Sequence, residues 1–184
     1  MKFSISNIAW ENKDNFKVYQ MMKEYGYKGI EIAPTKILPD HPYDYQETIQ
    51  KWRMRLNQLY DFTISSMQSI CYGRTENLFG GRDERTQLMA YIKQAIIFAE
   101  SIGCKNIVFG CPKNRVVPQG RNSNIGVAFF KELAAYAIKH RTVISIEANP
   151  EIYGTNYINH TQDALSLVKQ VDSKGFRVNL DLGT

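Results

Sequence analysis

Two carboxylates close two short β-branched runs: Glu147 ends "VISIE" at 143–147 and Asp181 ends "RVNLD" at 177–181. Side chains alternate between the faces of an extended strand, so Val143, Ser145 and Glu147 share one face, as do Arg177, Asn179 and Asp181. Neighbouring strands lie about 4.8 Å apart. Two ionised carboxylates at that spacing repel unless they share a proton or hold a cation. A divalent metal relieves the repulsion at a polar rim. Oxygen ligands alone suit magnesium or manganese, and an added imidazole widens the choice to cobalt, zinc or iron. A salt bridge with Arg177 or a rim lysine is the structural alternative.

Other chemistry-bearing residues also fall at strand ends. Lys113 and Arg115 in "FGCPKNRVVP" put two cations on one loop, the donor type that grips a phosphate or carboxylate, although an ordinary solvated loop carries such residues too. Trp10 and Tyr72 offer aromatic faces for stacking, or packing beneath a loop. Glu31 in "GIEIAP" reads either as a substrate contact or as a hydrogen-bonded structural acid. His41 is a lone loop histidine, and His140 and His160 flank helix ends, where dipole and capping contacts account for them.

These residues need elements that bring them side by side. Short β-like runs alternate with segments of helical period, the order of parallel strands joined by crossover helices. The runs predict six strands: Lys2–Ala9, Gly29–Ala33, Phe62–Ile70, Lys105–Gly110, Thr142–Glu147 and Phe176–Leu182. Between them lie apolar helical stripes, expected to be core: Phe16, Tyr19, Met22; Ile49, Trp52, Leu56, Leu59; Leu88, Tyr91, Ala95, Ile102; Val127, Phe130, Leu133, Ala137; and Ala164, Leu167, Val171. Gly26 and Gly103 suit left-handed helix ends, and Thr161 or Ser123 suits an N-cap.

Side-chain alternation chooses between the two architectures that fit this order. Central strands of an open parallel sheet are oily on both faces, whereas these set Ile30 and Ile32 against Gly29 and Glu31, and Ile144 and Ile146 against Ser145 and Glu147. One oily and one polar face is the pattern of a barrel ringed by helices. Neither GxGxxG nor GxxxxGK[ST] occurs to support a nucleotide fold. A full (β/α)8 barrel takes roughly 250 residues, so these 184 residues predict an α/β fold, an incomplete TIM-type barrel of about six βα units in one domain, 1–184. Its open edges predict either a fragment of a longer chain or a pairing partner, such as a second copy in a homo-oligomer.

Composition narrows the class. Hydrophobic residues make up 43% of the chain, enough for one core. No apolar stretch approaches the roughly 20 residues of a membrane helix. "MKFSISNIAW" breaks its apolar character too often for a signal peptide, which predicts a cytoplasmic protein. Three cysteines, Cys71, Cys104 and Cys111, lack CxxC spacing and read as reduced thiols. The net charge of +5 is scattered and does not itself indicate nucleic acid.

"ISIEANP" and "NLDLGT", with "GIEIAP", "SMQSICYG" and "FGCPKNR" at earlier strand ends, resemble the xylose isomerase-like TIM barrels: the sugar phosphate isomerase/epimerase family, related to ketose 3-epimerases and endonuclease IV. The resemblance covers the whole chain and implies truncation after the sixth strand. It implies that Glu147 and Asp181 bind a divalent metal (Mn, Mg, Co or Zn), with a histidine and a glutamate from two further strands completing the set. It also implies that Glu147 abstracts a proton next to a carbonyl while the metal holds the enediolate, and that the partner is a small sugar or sugar phosphate. Glu31, Lys113, Arg115, Trp10 and Tyr72 are the expected substrate contacts. Where many relatives have a substrate-binding histidine, this chain has Thr184, and where the endonucleases bring a metal-binding histidine it has Gln68. A phosphoesterase acting on DNA and a non-catalytic sugar-binding fragment are the alternatives.

Overall fold

A computed structural model describes residues 2–181. Its strands are β1 (Ser4–Ser6), β2 (Gly29–Ile32), β3 (Thr63–Met67), β4 (Asn106–Phe109), β5 (Val143–Glu147) and β6 (Phe176–Asn179). The helices are α1 (Asn15–Glu24), the single turn α2 (Pro34–Ile37), α3 (Gln46–Tyr60), α4 (Arg82–Ser101), α5 (Ile125–Lys139) and α6 (Thr161–Val171). Every expected strand is present, shortened at its ends.

The six strands form one sheet in sequential order, β1 to β6, with each neighbouring pair parallel. A doubly wound sheet reverses its strand order at a switch point. This sheet never reverses, so it rolls in one direction as part of a TIM-type barrel.

One face is oily and helix-covered. Ile30, Ile32, Ile107, Phe109, Ile144, Ile146 and Phe176 are fully buried in a core with Ile92, Phe98, Phe130 and Leu133. The aromatic rings of Phe109, Phe130 and Phe176 meet at centroid distances of 5.2 and 4.8 Å, joining β4, α5 and β6. Burying one such side chain contributes about 1.5–3 kcal/mol, so this face determines which way every strand turns. The other face carries the polar residues, with Val108 beside Ser145 among them. Ser145, for example, donates its hydroxyl to Asn106 Oδ1 on the neighbouring strand.

β3 departs from simple alternation. Its register against β2 pairs Ile30 with Ile64 but Glu31 with Ser66, leaving Ser65 as an extra residue in a bulge. A bulge re-aims the residues beyond it. Here it lets Ile64 and Met67 both face the helices while Ser66 stays beside Glu31.

Three expectations change in the folded chain. Phe16 and Leu59 are 69% and 50% exposed rather than core; together with Trp52 and Tyr60 they line an open groove between α1 and α3. Periodicity marks the apolar side of a helix, but that arc is wider here than the area its neighbours cover. Gly26 and Gly103 do take left-handed backbone (φ +75° and +72°). His160 rather than Thr161 precedes the first turn of α6, its backbone N–H donating to Asp163 at 3.0 Å, and Asn124 rather than Ser123 does so for α5. Among the described residues no helix is long and apolar enough to cross a membrane.

Candidate active site

The carboxyl ends of the strands carry two hydrogen-bonded acids. Glu147, last in β5, lies opposite Asn179 in the β5–β6 register. Asn179 Nδ2 donates to Glu147 Oε2 at 2.8 Å, and Asn149 Nδ2 donates to Oε1 at 3.0 Å. Behind them Arg115 is wholly buried, and its Nη2 donates to Glu147 O at 2.8 Å and to Asn149 Oδ1 at 2.5 Å. A guanidinium only donates, so it draws the amide oxygen of Asn149 to itself and leaves the amide nitrogen for the carboxylate. Burial pushes the Arg115 pKa down to about 10, against the pull of Cys111 and Glu147, so the group keeps its charge at neutral pH.

Desolvation raises the pKa of Glu147 above the ordinary carboxylate value. The amide donors of Asn149 and Asn179 oppose that rise, the negative charge of Asp181 adds to it, and Arg115 opposes it. Gly110, at the end of β4, permits the arrangement: a Cβ there would stand 2.8 Å from Glu147 Oε1.

The second acid is Glu31 in β2. Ser66 Oγ donates to its Oε2 at 2.6 Å, and Gln68 Nε2 donates to its Oε1 at 2.8 Å and to Ser6 Oγ at 2.7 Å. The Glu31 carboxylate and the Gln68 amide together thus tie three strands. Gln68 also lines a cavity of about 590 Å³ with Tyr72, Gly110, Cys111, Lys113 and Glu147, which links the two acids across the strand ends. A groove of similar size, about 560 Å³, lies between α4 and α5 on the outside, among Arg82, Arg85 and Met89.

The cavity brings together Glu147, Lys113 and Tyr72, and Gln68 joins it to Glu31. Two expected contacts sit elsewhere. Arg115, expected on a solvated loop beside Lys113, is instead packed under β5, because its guanidinium is the donor that the backbone of Glu147 and the amide of Asn149 require. Trp10 donates its indole N–H to Asn15 Oδ1 at 2.7 Å and meets the ring of Tyr19 edge-on. His140 pairs with Glu100 at 2.7 Å and His160 precedes α6, both at helix ends as expected. Leu182 and Thr184 lie outside the described residues.

Asp181 differs in detail from its expected place. β6 ends at Asn179, so Asp181 lies two residues past the last ladder pair and is exposed; the residue directly across from Glu147 is an amide. Sequence reasoning singled out neither this amide nor Asn149, Ser66 and Gly110. Alternation did place Asn179 on the inner face, whereas Asn149 carried only its nearness to Glu147 as a signal.

The donor set suits a hard divalent cation in part. Glu147 opens on the cavity, and Asp181 is close enough for its charge to raise the proton affinity of Glu147, the kind of repulsion a dication relieves. Among the described residues no cluster of three or more His, Cys, Asp or Glu surrounds a common point, so these two carboxylates would need further ligands.

Comparison with known proteins comes down on the same architecture. The model of a family described as xylose isomerase-like TIM barrel matches residues 19–183. No curated protein matches the chain. Among solved structures, a D-psicose 3-epimerase crystallised with D-fructose superposes with a TM-score of 0.76 at 16% identity, over 97% of this chain and 62% of its own. The 3-keto-D-glucoside 4-epimerase YcjR from E. coli gives 0.68 at 17% identity, over 97% and 67%. The IOLI protein with a bound zinc atom gives 0.65 at 17% identity, over 97% and 62%. The chain therefore spans a little under two thirds of the first and third of these neighbours.

Proposed function

Because this chain belongs to the xylose isomerase-like TIM barrel family, we propose that its strand-end face serves a metal-dependent isomerase or epimerase acting on a sugar or sugar phosphate. One observation carries this reading. The carboxylate of Glu147, held by two amides and made more basic by burial, opens on a cavity of about 590 Å³, within the range of small-molecule sites.

Glu147 takes the proton from the carbon beside the substrate carbonyl. Its raised pKa brings it nearer the operating pH, which favours a general base. Asn149 and Asn179 fix the plane of the carboxylate, so the proton is taken along one direction. Lys113 and Tyr72 line the cavity and hold the sugar or its phosphate, Lys113 by charge and Tyr72 by its ring. The Glu31–Ser66–Gln68 network meets the cavity through Gln68 and orients substrate hydroxyls. Glu147 and Asp181 would hold a divalent cation, together with ligands beyond those described. Such a cation, when bound, supplies Lewis-acid stabilisation of negative charge developing on substrate oxygens. The zinc in the IOLI protein and the ketose in the psicose epimerase support the choice of cofactor and substrate class.

Solvent exchange tests the proposal. The complete protein with added manganese is incubated in D2O with a panel of ketoses and ketose phosphates, and deuterium is located by NMR. Incorporation at the carbon beside the carbonyl is expected, and E147Q abolishes it. No incorporation into any member of the panel, or incorporation that survives E147Q, would count against the reading.

A further inference from the structure

Two thiols meet at the wall of the same cavity. Met67 of β3 pairs with Ile107 of β4, and Cys71 and Cys111 each lie four residues beyond that pair on adjacent strand-end loops. Each begins a tight turn, with Arg74 N–H donating to Cys71 O at 2.9 Å and Asn114 N–H donating to Cys111 O at 3.2 Å. The turns are tied together: Asn114 Nδ2 donates to Arg74 O at 3.1 Å and to Glu76 O at 2.9 Å, and Leu78 N–H donates to Asn114 O at 2.9 Å. In this frame the Cys71 and Cys111 side chains stand side by side on the cavity wall, although only 3% and 9% exposed. The third cysteine, Cys104, is fully buried, and its thiol bonds Asn106 O at 3.2 Å.

We propose that Cys71 and Cys111 are a modification site for hydroperoxides, closing to a reversible disulfide that cross-links the two loops walling the cavity. The geometry favours closure because the two thiols are neighbours on one cavity wall and their turns are mutually anchored, so little loop entropy remains to be lost. It also assigns the order of attack. The thiol of Cys71, a backbone hydrogen bond from the same residue and the cation of Arg115 favour a thiolate at Cys111 over the opposing effects of burial and the charge of Glu147; the role of donor to Cys111, then burial, disfavour a thiolate at Cys71. The Cys111 sulfur attacks one peroxide oxygen and the O–O bond breaks, giving a sulfenic acid and one water. The Cys71 sulfur then attacks the Cys111 sulfur and the S–O bond breaks, releasing a second water. Two thiols and one hydrogen peroxide thus become one disulfide and two waters, the thiols oxidised and the peroxide reduced.

Peptide mapping tests this without any assay of activity, because trypsin places the three cysteines in separate peptides: 56–74, 94–105 and 106–113. The folded full chain is treated with hydrogen peroxide, then unfolded, alkylated, digested and weighed. A linked 56–74/106–113 species, lighter by two hydrogens than its parts and separated by reductant, is expected, with Cys104 left free to alkylate. C104S should retain the link. C71S should lose it and instead give a sulfenic acid at Cys111 that dimedone traps, with circular dichroism showing the fold intact. The inference is overturned by three results: wild-type Cys111 oxidised with no link, links to Cys104 as frequent as the link to Cys71, or no reaction until denaturant is added. None of these bears on deuterium exchange by Glu147, so the two proposals fail separately.

Discussion

Replacing Gly110 with alanine puts a methyl group 2.8 Å from Glu147 Oε1, where ordinary contact begins near 3.4 Å, so the carboxylate must retreat by about 0.6 Å. Gly110 does not use left-handed backbone. At such a position the exchange alone stabilises by about 0.4–1 kcal/mol, through the unfolded chain. The retreat has an opposing cost, because Oε1 is held by Asn149 at 3.0 Å and Oε2 by Asn179 at 2.8 Å. Losing one such charge-assisted bond costs about 1.5–3 kcal/mol. The loss exceeds the gain, and G110A should be less stable than the wild type by about 1–2 kcal/mol in urea unfolding. Manganese affinity of the complete protein, followed by calorimetric titration, should fall about 10–100-fold, the usual effect of disturbing a group that orients a ligand. In an E147A background the clash partner is gone and the same exchange should turn stabilising, which a double-mutant cycle reads directly. A G110A protein more stable than the wild type, with unchanged manganese affinity, would show that Glu147 is not held where its two amides place it.

The other predictions concern the same framework. R115M leaves Glu147 O and Asn149 Oδ1 without their buried donor and should cost about 3 kcal/mol in urea unfolding, with R115K recovering part of it. Burial sets the folded pKa of Glu147 above its unfolded value, so the folded state binds the proton more tightly. That contribution is complete below the ordinary carboxylate range and is lost as pH rises through the raised folded value. Metal-free protein should therefore show a fall in urea midpoint across that window, and E147Q should flatten it. Q68L removes the amide that ties Glu31 to Ser6 and should destabilise by about 1–2 kcal/mol, measured the same way.

The strands and their order were legible because the period of two separates Ile144 and Ile146 from Ser145 and Glu147 in any extended chain, and burial of the isoleucines then decides which face is inner. That is local information, and it placed Glu31 and Glu147 on the polar face near the ends of their strands. The bulge at Ser65 was not legible, since nothing in "TISSM" marks which serine drops out of register; the pairing with β2 selects it. Nor was the fate of Arg115 four residues after Cys111: a cation on a polar loop reads as solvated until the fold turns it beneath β5, where Glu147 O and Asn149 Oδ1 await a donor. Cys71 and Cys111 are separated by all of α4, and only the β3–β4 pairing brings their loops together. The elements, their faces and the acids at their ends follow from local order, because alternation and helical period act over a few residues. Which donors meet those acids is settled only in the folded chain, because hydrogen-bond partners from different strands are chosen by register and loop path.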